Sequence, residues 1–71
     1  MAKASPLIDI KKLRDGLRMS QPKFAERFGF SVGTLRQWEQ GRRQPDMAAR
    51  VLLAVIAYDP AVIDRARSVV V

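Results

Sequence analysis

The 71-residue chain contains no cysteine and no histidine. Without them there can be no disulfide, no thiolate or imidazole zinc set and no common nucleophile–base pair. Seven acidic residues remain, and none forms a convincing pair inside a cleft. The reading is a protein that is not an enzyme and needs no metal or cofactor. The longest apolar run, Val51 to Tyr58, is too short to span a bilayer. The opening MAKASP lacks the apolar stretch of a signal peptide. A cytoplasmic, nucleoid-associated protein with no membrane partner is expected. A chain this short makes one domain, residues 1–71, with a limited core. Residues 1–5 read as a loose tail.

Anionic side chains are also in short supply. Thirteen Lys and Arg against seven Asp and Glu leave a net charge of +6, which suits a polyanionic partner. Charge alone is equally consistent with a small soluble basic domain.

The informative stretch is Ser20 to Gly41, SQPKFAERFGFSVGTLRQWEQG. Ser20 is placed as an N-cap, with Pro22 in the first turn and Met19 and Phe24 as a hydrophobic staple. Phe24, Ala25 and Phe28 share one helical face, and Gly29 stands where a left-handed helix end is needed. The same grammar then repeats. Phe30 precedes the cap Ser31, Leu35 completes the staple and Gly41 closes the helix. Two capped helices separated by Gly29, Phe30 and Ser31 must cross steeply, as a helix-turn-helix does. Leu35 and Trp38 hold the second helix by one face. Val32, Gly33, Arg36, Gln37 and Gln40 are left facing outward. Arg and Gln are the side chains that pair bidentately with guanine and adenine edges. Gly33 and Thr34 are small enough to let the helix N-terminus approach a surface.

The remaining helices follow from similar signals. Ser5-Pro6 and Asp9 are alternative starts for helix one, which runs to about Leu17 with Ile10, Leu13 and Leu17 inward. Lys11, Lys12, Arg14 and Arg18 form its polar side, either along a phosphate backbone or simply solvated. Helix four runs from Asp46 or Met47 to Tyr58, with Ala48, Val51, Leu52, Val55 and Ile56 on a wide apolar face. Asp59-Pro60 starts helix five, which runs to about Ser68. Val62, Ile63, Ala66 and Val70 mark its stripe. Part of that stripe should pack on helix four, and the exposed remainder is the expected dimer face. The apolar end Ser68-Val69-Val70-Val71 is β-prone, and an exposed Val-Val-Val invites a partner.

The pattern SQxxFAxxFGxSxxTLRxWEQGRRxP resembles the phage-repressor and Cro-type helix-turn-helix domain of the XRE family. WEQGRRQP followed by MAARVLLAVIAYDPAVI is similar to small DNA-binding antitoxins of HigA type and to the DNA-binding half of MqsA-type antitoxins. The resemblance covers roughly residues 8–66. It implies an all-α, five-helix repressor-like fold that binds double-stranded DNA in the major groove. Arg14 and Glu39 match the family's partly buried salt bridge between the first and third helices. Arg42 and Arg43 match the loop that runs beside the sugar–phosphate backbone. Gln21, at a helix N-terminus, and Thr34 are the further phosphate candidates.

Specificity from so small a reader calls for a homodimer on a palindromic operator. The antitoxin likeness further implies autoregulation of a toxin–antitoxin operon and a partner toxin of ribonuclease type. Toxin contact would fall on the tail, helix one or helices four and five, since no separate toxin-binding segment is evident. A stand-alone XRE-type regulator and a protein-interaction module are the competing readings. The basic loop and outward Arg and Gln argue against the second of these.

Overall fold

The computed structural model describes residues 8–70. The readings of residues 1–5 as a tail, of Ser5-Pro6 as a cap and of Val71 lie outside them. The described residues form five helices: α1 (Ile10–Gly16), α2 (Gln21–Phe28), α3 (Val32–Glu39), α4 (Met47–Tyr58) and α5 (Pro60–Val70). Among the described residues no helix is long and apolar enough to cross a membrane.

Each start is fixed by a side chain that satisfies an amide the helix cannot. Asp9 accepts from the Lys12 amide at 3.0 Å, Ser20 from Lys23 at 3.3 Å, Ser31 from Thr34 at 3.1 Å and Asp46 from Ala49 at 2.9 Å. At the head of α5, the Asp59 carboxylate accepts from the Ala61 amide at 3.2 Å. The stops are equally local. Gly41 takes a left-handed φ of 74°, and the Arg42 amide reaches back to the Gln37 carbonyl at 2.9 Å. Gly29, at φ 84°, ends α2 in the same hand. The end of α1 has the same hydrogen-bond pattern, Met19 to Arg14 and Arg18 to Asp15, but its left-handed residue is Arg18 at φ 58°.

The core gathers one to three residues from each helix: Ile10, Phe24, Ala25, Phe28, Leu35, Leu53, Ile56 and Ile63. Around it Leu13, Leu17, Phe30, Trp38, Leu52 and Val55 are partly covered. Two expectations change here. The buried positions of α4 are Leu53 and Ile56, while Ala48 and Val51 are exposed. Every residue of α4 except Arg50 is apolar or small, so the sequence offers almost no contrast from which to choose a face. At the other end, Val69 and Val70 continue α5 rather than forming an extended tail.

Helix five is also tied to α2 by polar contacts. Arg27 meets Asp64 through two bonds of 3.2 and 2.9 Å. Arg67 donates in return to the carbonyls of Glu26 and Arg27, which the end of α2 leaves free. The Arg27 guanidinium also lies 4.9 Å from the centroid of the Phe28 ring.

The left-handed backbone at Arg18 costs an L-residue about 1–2 kcal/mol, whereas glycine gives back only about 0.5–1 kcal/mol of that through its freer unfolded chain. Arg18→Gly should therefore raise stability by up to about 1 kcal/mol in a denaturant melt. A neutral or destabilised variant would show that this backbone is not strained.

Candidate nucleic-acid interface

Helix α3 is held by its inner edge. Leu35 is fully buried, and Trp38 meets Phe30 edge-on with ring centroids 5.1 Å apart. Phe30 in turn stacks on Phe24 at 6.3 Å, and Phe24 meets Phe28 edge-on at 4.8 Å. Four of the chain's five aromatic rings are thus spent on one wall beneath the turn, in geometries that suit their quadrupoles.

With that edge fixed, the other residues of α3 fall into place. Gly33, Arg36 and Gln40 are exposed, Thr34 and Gln37 are half-buried, and Val32 packs partly against the core. A Cβ built on Gly33 would meet nothing within 4 Å. Thr34 is engaged locally, its hydroxyl 2.8 Å from that of Ser31. Arg42 and Arg43 project from the loop after α3 and are exposed. Gln21, half-buried at the start of α2, faces α3 rather than solvent alone.

The angle of α3 is set by Arg14. Its Nε donates to Glu39 Oε2 at 2.8 Å and its Nη2 to Glu39 Oε1 at 2.9 Å, a two-bond fork. Its Nη1 donates to the Met19 carbonyl at 3.0 Å. One guanidinium therefore ties together α1, the α1–α2 connection and α3. The side chains are 12% and 6% exposed, so water screens this pair far less than a surface bridge. The Arg14 hydrogen bonds hold the Glu39 carboxyl below its ordinary value against the opposing effect of burial, and Gln21 adds to the lowering. The same bonds raise Arg14.

The distribution of carboxylates explains the surface field. Asp9, Asp46 and Asp59 are bound to helix-start amides. Asp15 pairs with Lys11, Asp64 with Arg27 and Glu39 with Arg14. Six of the seven acids are thereby committed to structure. None is exposed on α3, which bears Arg36, and none lies in the following loop, residues 41–45, which bears Arg42 and Arg43.

The structure corrects one residue of the expected dimer face. Ile63 is buried in the core with Leu53 and Ile56 and is closed to any second chain. Val62 is half-buried, while Ala66 and Val70 are exposed on α5. Sequence reasoning missed three interactions: the Arg27–Asp64 pair, the bonds from Arg67 to the α2 carbonyls, and a bond from Arg36 Nε to Gln21 Oε1 at 3.2 Å. None follows a fixed spacing, so no periodic signal announces them.

A family model described as helix-turn-helix matches residues 10–54, from α1 into α4. No curated protein matches the chain at a significant level.

Removing one partner of a poorly solvated pair strands the other charge. Glu39→Ala should therefore cost on the order of 3 kcal/mol in a thermal or urea melt. Because the folded Glu39 carboxyl is held low, its contribution is fully present above its ordinary value of 4.5 and is lost as pH falls through the folded value. Glu39→Gln should flatten the acid limb of the stability profile below that pH, leaving only part of the slope to Asp64 and the other acids. An unchanged acid limb would remove the bridge from the stability account.

Proposed function

The chain belongs to the XRE-type helix-turn-helix family of DNA-binding transcriptional regulators, and from that membership we propose that it is a sequence-specific repressor. It sets α3 in the major groove of an operator. The observation that carries this reading is the outer face of α3, pinned by Leu35 and Trp38, free of carboxylates and bearing Arg36, Gln37 and Gln40. Arg36 and Gln37 are the specificity residues, each worth about 1–3 kcal/mol against a wrong base pair when bidentate. Val32 and Gly33 bring the start of the helix close to the bases. Arg42, Arg43 and Thr34 hold phosphates and set register without reading sequence.

One such reader covers only a few base pairs. A homodimer reading a palindrome, with half-sites about 34–36 Å apart or a multiple of that, supplies the rest. The exposed Ala66 and Val70 of α5, with half-buried Val62 beside them, offer the face for it. Exposed Met47, Val51 and Tyr58 on α4 leave further apolar surface for a second partner. The likeness of WEQGRRQP and the helix after it to HigA-type antitoxins supports the finer reading. The protein represses its own operon and binds a ribonuclease-type toxin encoded beside it.

Footprinting of the upstream DNA with the purified protein tests binding, symmetry and spacing together. A symmetric protected site is expected, and its absence would reject the operator reading. Binding should weaken with salt. With about three phosphates neutralised per protomer, log affinity falls by roughly 2.7 per log unit of salt, and about twice that for a dimer. Gly33→Ala separates folding from recognition. The open space and the helical site should raise stability by about 0.5–1 kcal/mol, while the added methyl obstructs the groove and weakens operator binding. If Gly33→Ala binds as well as the parent, the start of α3 does not approach DNA. Light scattering should give a dimer, and co-expression with the adjacent reading frame should yield a stable complex if that frame is a toxin.

A further inference from the structure

Arg36 is exposed, yet its guanidinium is not left free to swing. Its Nε donates to Gln21 Oε1 at 3.2 Å. The other end of the same amide, Gln21 Nε2, donates to Glu39 Oε1 at 3.2 Å. That oxygen already accepts from Arg14 Nη2 at 2.9 Å. The four side chains form one line, Arg14–Glu39–Gln21–Arg36, running from the partly buried bridge to the tip of the exposed arginine.

The chemistry of the line allows only one direction. A carboxylate only accepts and a guanidinium only donates. A side chain placed between them must therefore offer a donor to Glu39 and an acceptor to Arg36. Glutamine is the residue that does both at this length, and its amide is oriented by its two neighbours. Holding Arg36 through Nε leaves the Nη1 and Nη2 edge for another acceptor pair. A paired edge of this kind is what a base presenting two adjacent acceptors requires.

We propose that Gln21 is a positioning residue for base recognition, setting the approach of Arg36 to its base pair, rather than chiefly a phosphate clamp. The inference rests on the reading of Arg36 as a base-contacting residue. It converts the stability bridge into part of the reading apparatus: the carboxylate that fixes α3 also sets the amide that aims the arginine. A long, flexible side chain held beforehand loses less freedom on docking, so the contact gains in selectivity as well as strength.

The test is a base-preference measurement on the full chain. Binding to every single-base variant of one half-site is measured for the parent, Gln21→Met, Arg36→Ala and the double variant. Thermal melts of the same proteins check folding. Gln21→Met keeps the length of the side chain and removes both hydrogen bonds. Gln21→Asn keeps the amide but is too short to span both partners, and it serves as an independent second variant.

Positioning predicts that both Gln21 variants lose discrimination on the order of tenfold at the one base pair where Arg36→Ala loses it. It also predicts that Gln21→Met adds nothing further at that base pair in the Arg36→Ala background, because coupled residues are not additive. A uniform loss across all sequences, additive with Arg36→Ala, is the behaviour of a phosphate contact and would overturn the proposal. If Arg36→Ala leaves every base preference of the parent intact while specific binding persists, the base-reading role of Arg36 is wrong, and that failure is visible without reference to Gln21.

Discussion

The fork between Arg14 and Glu39 is the constraint from which the rest of the geometry follows. Hydrophobic contacts at Leu35 and Trp38 decide which face of α3 turns inward, but burial is not directional and leaves the helix free to rock on its greasy edge. Two short bonds in a fixed plane remove that freedom. The same guanidinium also takes the Met19 carbonyl, so the entry into α2 is fixed by the group that fixes α3. A short chain with a small core has few ways to hold an exposed helix at a definite angle. A partly buried ion pair is costly to desolvate, but it provides orientation where packing alone provides cohesion.

The use of charge elsewhere obeys a similar economy. Six of the seven acidic side chains sit at helix starts, where free amides stabilise them, or against a cation, Asp15 within its own helix and Glu39 and Asp64 across the fold. The cations that remain without acidic partners then define the field outside the molecule. The positive face is thus a consequence of where the carboxylates are committed as much as of where the arginines stand. Among the described residues Arg42 and Arg43 enter no ion pair, so their charge faces outward.

Much of this was legible from residue order alone. Ser20, Ser31, Asp46, Gly29 and Gly41 announce their helix ends through local chemistry that needs no tertiary context. The repeated cap-and-staple grammar is enough to give the steep two-helix motif, and the family match over residues 10–54 agrees with it. Legibility ended where contrast did. Helix α4 is apolar nearly all round, so its inward face had to be decided by what lies beneath it, and Leu53 was overlooked in favour of Val51. Ile63 shares a stripe with exposed neighbours, and only the packing of α5 shows that it belongs to the interior. The Arg18 turn was hidden for the opposite reason: a residue type that seldom adopts left-handed backbone occupies a place that glycine fills elsewhere in the same chain. The Gln21–Arg36 contact joins two side chains fifteen positions apart, and no sequence period marks it.

The two carbonyls at the foot of α2 reach beyond their own helix. They are satisfied by Arg67, which lies in α5, outside the segment that the family shares. Ile63, from the same helix, supplies part of the interior on which Phe24 and Phe28 rest. The segment matched by the family model therefore shares its interior and the end of α2 with the helix that follows it. Without Arg67 those two carbonyls would be left to water, so one arginine of the last helix both closes α2 and anchors α5 against it.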